Sequence, residues 1–553
     1  MPALETDFVF KAVRFENHKI RMEENMKKEY LVSAQEMAQY DLNTIEKTKI
    51  PALVLMERAA LSVAECAKNF LQNHPGMNKV LVLAGNGNNG ADAVAAGRIL
   101  KEYGYEVSAY LIPTKNAWNE NLLLQVQIAK TNGVVMITEP DMQQYTMIID
   151  GIFGNGLNRD IQGEASTIIE QCNLSGKYVL SVDVPSGICA TDGKVKGIAI
   201  KADETVTFGF FKRGLFLYPG KEYAGKCHLA VMGINQNSFY GTKPKTFTYY
   251  DNEEDSEKID LQRKCDGNKG TFGKVLIVAG RKNTTGAAIL AANSAQRSGC
   301  GMTALFTDLE NKEVLMNVLP ETMVHCPQKE QEKTISNELR KIADWADVIA
   351  VGPGLSTDDY AKKVVETLLF ETNKPLILDA DAINILAHDK TMQARLSESC
   401  KNEQSKRILF MTPHPLELAR LLGVSVEEIR KNRIEILKEA SKRYRAIIVS
   451  KDADTIICDA QENLYINSTG NDALATAGTG DVLTGLLASI VAQYLKKETI
   501  PYEDESSEKN KYFYASCMAV YLHGKAGDSV SKNCGNGYVT AGDLIKQYPY
   551  ILK

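Results

Sequence analysis

Ala477, Gly478, Thr479, Gly480 and Asp481 stand at the head of an apolar stretch that runs to Tyr494. Small residues at a helix start leave backbone N–H groups bare, and the helix dipole adds partial positive charge, so an anion is favoured there. A phosphoryl group fits such a hole. The neighbouring carboxylate, Asp481, can take the proton of a hydroxyl as that hydroxyl attacks phosphorus. The G-x-x-x-x-G-K-[ST] loop of P-loop ATPases is absent, so any phosphate chemistry rests on the glycine and aspartate segment. Four other loops carry polar residues where short apolar runs end, at 352–356, 379–384, 412–417 and 451–455, and together they can line one cleft. His414 is held rigidly between Pro413 and Pro415, although a lone histidine serves structure as readily as chemistry, and Lys451 could equally be a surface lysine.

A second polar cluster lies near the start of the chain. Residues 85–94 read GNGNNGADAV, which contains G-x-G-x-x-G and invites a dinucleotide-fold reading. The usual companion is an acid at the end of the next strand, to hold a ribose hydroxyl. Here that strand ends at Ile112 and Pro113, which disfavours a hydride-transferring domain. Asn88, Asn89, Gly90, Ala91 and Asp92 instead present two amides and a carboxylate beside free backbone N–H groups. They can hold a polar ligand, or the asparagines can merely cap a helix. Loops at 150–157 and 181–187 also follow apolar runs, and the strand ends of a parallel sheet converge on one edge where ligands bind.

The elements that position these loops are legible as periodic runs. Segments 79–85 and 274–280 are short, apolar and end in glycine, as buried parallel strands do, so each is expected to open an α/β unit. A helix is expected over 33–69. Further strands are expected at 106–112, 147–149 and 179–182, then at 303–306, 348–351, 376–378, 408–411 and 447–449. Both halves thus read as mostly parallel sheets with helices on their faces. Gly241 and Pro244 sit among polar residues at 235–245, with acidic 251–257 after them, which places a boundary near 240. The expected division is an extension over 1–29, a domain over 30–240 and a domain over 245–553. Charged 502–511 reads as a solvated loop.

Length and composition agree with this division. A chain of 553 residues exceeds the roughly 250–300 at which a single core stops growing. A hydrophobic fraction of 44% and a charged fraction of 24% are ordinary for a globular protein. The net charge of -5 comes without a long basic stripe, which leaves little to drive counterion release and argues against nucleic acid as a partner. The 11 cysteines form no C-x-x-C pair and no dense framework, which suits a reducing cytoplasm. No H-E-x-x-H pair offers a zinc hydrolase site. No apolar run approaches the roughly 20 residues of a membrane span, and Glu5, Asp7 and Glu16 are unlike a targeting peptide, so a soluble protein without a membrane partner is expected.

From about Tyr30 to Tyr240 the chain resembles the NAD(P)H-hydrate epimerase family, with LMERAA at 55–60 matching its helical signature. The resemblance implies a Rossmann-like α/β/α sandwich. It also implies that Asn88, Asn89, Gly90, Ala91, Asp92, Gly154, Asn155, Gly156, Leu157, Asn158, Arg159, Asp160 and Asp183 contact the hydrated nucleotide. Asn89, Asp150 and Ser186 would hold K+, and their hard oxygen donors suit such a cation. Asp183 is the candidate proton handler for epimerisation, although an aspartate there could also merely brace its loop. The family usually has glycine where Ala91 and Ala93 stand. If position 91 needed a left-handed backbone, alanine would cost about 1–2 kcal/mol.

From about Tyr249 to Tyr548 the chain resembles the ADP- or ATP-dependent NAD(P)H-hydrate dehydratases, relatives of the ribokinase-like kinases. KGTFGKVLIVAG at 269–280, GAAILAA at 286–292 and GCGMT at 299–303 carry the likeness. It implies a ribokinase-like α/β domain in which Ala288, Gly354, His414 and Asp481 face the hydrated dinucleotide. Lys451, Asp452, Ala453, Asp454, Thr455, Gly478, Thr479 and Gly480 would face ADP or ATP, with Mg2+ on the donor. The family commonly has glycine where Asp452 and Leu416 stand. The implied function is repair of hydrated NADH and NADPH by epimerisation followed by nucleotide-driven dehydration. The alternative is a kinase of a small vitamin-like alcohol whose first half only binds. A homo-oligomer is compatible with the sequence, which leaves open the oligomeric state, the preferred donor, the preferred hydrate and the role of 1–29.

Overall fold

The computed structural model describes residues 27–250, 263, 266–327, 332–401, 407–497 and 508–552. Most of the expected extension (1–26) and acidic 251–257 lie outside the described residues. Among those described, the first half builds a seven-stranded sheet whose pairs are all parallel. In spatial order its strands are Val135–Ile137, Glu106–Leu111, Lys79–Ala84, Met147–Gly151, Tyr178–Val182, Glu204–Phe208 and Lys226–Ala230. Val80 to Ala84 are fully buried, as expected of a central strand covered by helices on both faces.

The second half builds a parallel run in the order Met323–His325, Met302–Phe306, Lys274–Val278, Val348–Val351, Leu376–Leu378, Leu409–Met411 and Ala446–Ser450. Ile456–Cys458 and Leu464–Ile466 then continue this sheet antiparallel. Both expected α/β units are therefore present, and each expected strand falls on an observed one within a few residues.

Three features depart from the sequence reading. The helix expected over 33–69 is two helices, Ala34–Glu46 and Ala52–Asn73, because Lys49 adopts φ 63 and Pro51 cannot continue a preceding turn. The charged segment expected to be a loop over 502–511 is helical from Glu508, within Glu508–Cys534; its earlier part lies outside the described residues. The last residues of the expected extension form part of a strand, Lys27–Val32, which joins the second sheet rather than the first.

That strand changes how the halves meet. Thr246–Tyr250 pairs parallel with Leu464–Ile466 on one side and antiparallel with Lys27–Val32 on the other, and Lys27–Val32 in turn pairs with Phe211–Lys212. An edge that would otherwise present unpaired N–H and C=O groups is covered by chain from the first half. Aromatic rings pack this strand into the second sheet: Phe247 and Tyr249 meet Tyr465 in tilted contacts with centroids 5.5 and 5.4 Å away, and Phe247 meets Phe513 edge-on at 6.1 Å.

Candidate functional site

In the first half, the carboxyl ends of the strands open onto a cavity of about 760 Å3. Its floor is the turn between Lys79–Ala84 and the helix Asn88–Glu102. Close approach explains the glycines there, since a Cβ on Gly85 would stand 1.9 Å from the Ile152 carbonyl oxygen and one on Gly90 2.0 Å from that of Gly85. Gly87 caps the helix without a side-chain bond, so Asn88 and Asn89 are not its caps. Asn88, Asn89 and Asp92 line the cavity, together with Gly154, Asn155, Gly156, Leu157, Asn158, Arg159 and Asp183.

Three sequence candidates are not on this wall. Gly90 and Ala91 are buried within the first turn of the helix, and Asp160 is exposed beyond the rim. Ala91 has no positive φ, so alanine carries no left-handed strain there, and the Ala93 methyl fills the space over Gly151.

Asp183 adopts φ 67 at the end of Tyr178–Val182 and pairs with Lys212, whose side chain is 1% exposed. Lys212 Nζ also donates to the Phe208 carbonyl oxygen at 2.9 Å and to Thr207 Oγ1 at 3.1 Å. Burial pushes the Asp92 carboxyl well above the usual range, and Asp183 and Asp41 push it further. Asp41 is open to solvent at the cavity, although neighbouring protein crowds its carboxyl. Burial pushes it up to about 6, with Lys212 opposing and Asp183 assisting. Lys212 and Asp41 were not singled out from the sequence. Each looks like an ordinary surface charge, and only the packing of the helix Ala34–Glu46 and the strand Phe211–Lys212 against the sheet brings them to Asp183.

Behind the cavity, Asp150 is fully buried and accepts from Ser181 Oγ at 2.8 Å, from Ser186 N at 2.9 Å and from Ser186 Oγ at 2.5 Å. Burial raises its carboxyl despite these bonds. Asn89 Nδ2 is buried without a hydrogen-bond partner, and a Cβ on Gly154 would meet the same amide at 2.8 Å. The oxygens of Asp150 and Ser186 are hard donors that suit a monovalent cation, and Asn89 would add its Oδ1, because the unpartnered Nδ2 is a hydrogen donor and cannot ligate one.

In the second half, Gly478 adopts φ 88 and caps the helix Thr479–Leu495 with no side-chain bond, leaving Gly478, Gly480 and Asp481 partly open to solvent. Thr479 is turned inward, its hydroxyl on the carbonyl oxygens of Leu474 and Thr476 at 2.9 Å each. Burial pushes Asp481 up to about 6, Asp379 raises it further and Lys451 opposes. Lys451 Nζ lies 2.7 Å from Asp379 Oδ1, and a Cβ on Gly480 would lie 3.6 Å from that nitrogen, so an ammonium stands beside the open helix end. Burial works against this charge, but Asp379 and Glu417 outweigh it and hold the ammonium above its ordinary range. Asp379 is fixed in turn by Thr412 Oγ1 at 2.5 Å and Thr484 Oγ1 at 2.8 Å.

His414 caps the helix Pro415–Leu422, its Nδ1 accepting from Leu416 N at 3.1 Å and Glu417 N at 3.3 Å. Gly354 adopts φ 57, and a Cβ there would meet Thr284 at 2.9 Å. Ala288 is fully buried with its methyl towards Gly280, so it is not brought to the cleft surface. Asp454 is also committed inward: it pairs with Arg433 and accepts from Tyr218 N at 3.2 Å. Asp452 and Ala453 are exposed and Thr455 is half-buried on the same loop.

Comparison with known proteins agrees with both halves. Residues 52–214 match the model described as YjeF-related protein N-terminus, and residues 275–550 match that described as NAD(P)H-hydrate dehydratase. The bifunctional NAD(P)H-hydrate repair enzyme of Moorella thermoacetica is 31% identical, covering 95% of this chain and 97% of its own. The enzyme of the same name from Vibrio cholerae is 31% identical, covering 93% and 97%. A solved ADP/ATP-dependent NAD(P)H-hydrate dehydratase from Bacillus subtilis, co-crystallised with ATP and Mg2+, is 30% identical over 52% of this chain and 92% of its own, with a TM-score of 0.42. With both domain models matched in order and relatives aligned along nearly the whole length, the chain belongs to the family of bifunctional NAD(P)H-hydrate repair enzymes.

Proposed function

We propose that the two halves perform consecutive steps on one substrate: the first interconverts the R and S epimers of hydrated NADH and NADPH, and the second dehydrates the S form with ADP or ATP. The observation that carries this reading is Asp481, raised to about 6 beside the open helix end at Gly478 and Gly480. The helix end holds the terminal phosphate of the donor, and Asp481 takes the proton of the C6 hydroxyl as its oxygen attacks phosphorus. The ring nitrogen's lone pair expels phosphate from C6, and loss of a proton from the neighbouring carbon restores the dihydropyridine. Lys451 supplies positive charge beside the transferring group, and Gly354 and His414 border the hydrate.

The donor brings Mg2+ with it. Among the described residues, the one group of three His, Cys, Asp or Glu ligand atoms within 4.8 Å of one another lies elsewhere. In the first half, epimerisation at a carbon bearing both hydroxyl and ring nitrogen needs one group to take the hydroxyl proton as the C6–N bond opens to an aldehyde and another to give a proton to the ring nitrogen, both transfers reversing as nitrogen recloses on the other face. Asp183, paired to Lys212, and the raised Asp92 carboxyl serve these roles. K+ at Asn89, Asp150 and Ser186 would hold the nucleotide end of the cavity by charge. The domain limits 30–240 and 245–553, with a cytoplasmic location, complete the reading; no helix among the described residues is long and apolar enough to cross a membrane.

The test is an optical one. Purified protein given both hydrate epimers and ADP or ATP restores the full absorbance of the reduced cofactor, and Asp481→Asn stops it. Restoration of one epimer alone would show an inactive first half, and an accumulating phosphorylated product would favour a kinase.

A further inference from the structure

Away from both sites, Cys66 on the helix Ala52–Asn73 meets two strands at the edge of the first sheet. Its Sγ–H donates to Glu204 Oε2 at 3.2 Å, and His228 Nε2 lies 2.7 Å from the same oxygen. One ligand atom from each residue falls within 4.8 Å of the others, and this is the only such grouping among the described residues. Glu204 opens the strand Glu204–Phe208, whose far end lines the nucleotide cavity, so the cluster sits at the opposite end of the sheet. It opens instead onto a separate cavity of about 600 Å3 that His74 also lines. The Tyr178 hydroxyl, buried next to Glu204, finds no well-formed hydrogen bond.

We propose that Cys66, Glu204 and His228 form a site for a divalent transition-metal ion of the zinc class, with a fourth position open to this second cavity. Sulfur, imidazole nitrogen and carboxylate oxygen are the zinc donor set, and three protein ligands with one open position form a common zinc arrangement. Tetrahedral bonds of about 2.0–2.3 Å would move the three atoms apart only slightly. The charges also close. Burial pushes the Cys66 thiol up to about 12, while His228 holds Glu204 down to about 2, so without metal the cluster carries one thiol proton and one carboxylate. On binding, the thiol proton and any proton on His228 Nε2 pass to solvent, and thiolate plus carboxylate neutralise the dication. The ion would clamp the helix Ala52–Asn73 onto the edge strand Lys226–Ala230.

Full-length protein stripped with a chelator is titrated with Zn2+ and, separately, with Co2+. One ion per chain is expected, with a sulfur-to-cobalt charge-transfer band and a rise in Tm. Cys66→Ser and His228→Ala should each weaken binding at least ~10-fold, the low end even for loss of an outer partner, while epimerisation stays intact. If either variant fails to fold, His228→Gln supplies the comparison. Absence of the sulfur band, or equal affinity in wild type and variants through other cysteines, overturns the proposal.

Discussion

The backbone N–H of Tyr218 donates to Asp454 Oδ2 over 3.2 Å, although the two residues are 236 positions apart and lie in different halves. Asp454 sits on the loop that follows Ala446–Ser450 and carries Lys451, and Arg433 holds its other oxygen. The first half thus braces the loop that carries the Lys451 ammonium beside the open helix end at Gly480. Lys221 Nζ, from the same segment as Tyr218, reaches the Ser468 carbonyl oxygen at 3.3 Å and strengthens the brace.

Asp454→Ala is therefore expected to act on the nucleotide step alone. It leaves Arg433, 11% exposed, with only the longer contact to Asp452 at 3.9 Å, a loss below the roughly 3–5 kcal/mol of a fully orphaned buried charge. A lower Tm and a raised KM for ADP or ATP should appear, while epimerisation measured without nucleotide is unchanged at temperatures where the protein is folded. An unchanged KM would show that the loop needs no brace.

Dehydration should fade on acidification with a midpoint near pH 6. Asp481 accepts a proton only when ionised, and burial beside Asp379 raises it to about 6, so the competent fraction falls as pH drops through that value. Asp379→Asn removes a neighbouring negative charge and should move the limb to lower pH. Asp481→Asn should cost roughly 10²–10⁴-fold in kcat. A rate flat from pH 5 to 8 would contradict the assigned role.

Lys212→Met should separate the two activities. It removes the buried cation that pairs with Asp183, and epimer exchange should fall by roughly 10²–10⁴-fold while nucleotide-driven dehydration of the S form persists. Interconversion of the isolated epimers, followed by NMR, measures the first; cofactor absorbance measures the second.

Potassium should stabilise the wild-type protein more than the same concentration of a bulky monovalent cation does. In Asp150→Asn that difference in Tm should vanish, because the buried carboxylate bonded to Ser186 is gone. Equal Tm values for wild type in both salts would remove the cation from this site.

Phe247→Ala tests the packing that holds the strand Thr246–Tyr250 in the second sheet. The ring is 3% exposed and packs on Tyr249, Tyr465 and Phe513, so truncation should cost on the order of 3–5 kcal/mol and lower the Tm read by calorimetry. A loss confined to less than about 1 kcal/mol would mean that the ring adds little to the backbone pairing that holds this strand in the sheet.

Local pattern made much of this protein legible. Val80 to Ala84 and Val275 to Val278 are apolar because strands covered on both faces meet no water, so a short run ended by glycine suffices to find them. Gly478, Gly480 and Asp481 are equally readable, since a bare helix end needs small residues at adjacent positions. Partners across the fold left no such trace. Lys212 reads as a surface lysine until Glu204–Phe208 and Tyr178–Val182 pair and bury it against Asp183. Neither the strand Lys27–Val32, which crosses to the second sheet, nor the contact of Tyr218 with Asp454 follows from periodicity. Periodicity reports which face of an element avoids water; which distant element covers that face is decided only when the whole chain packs.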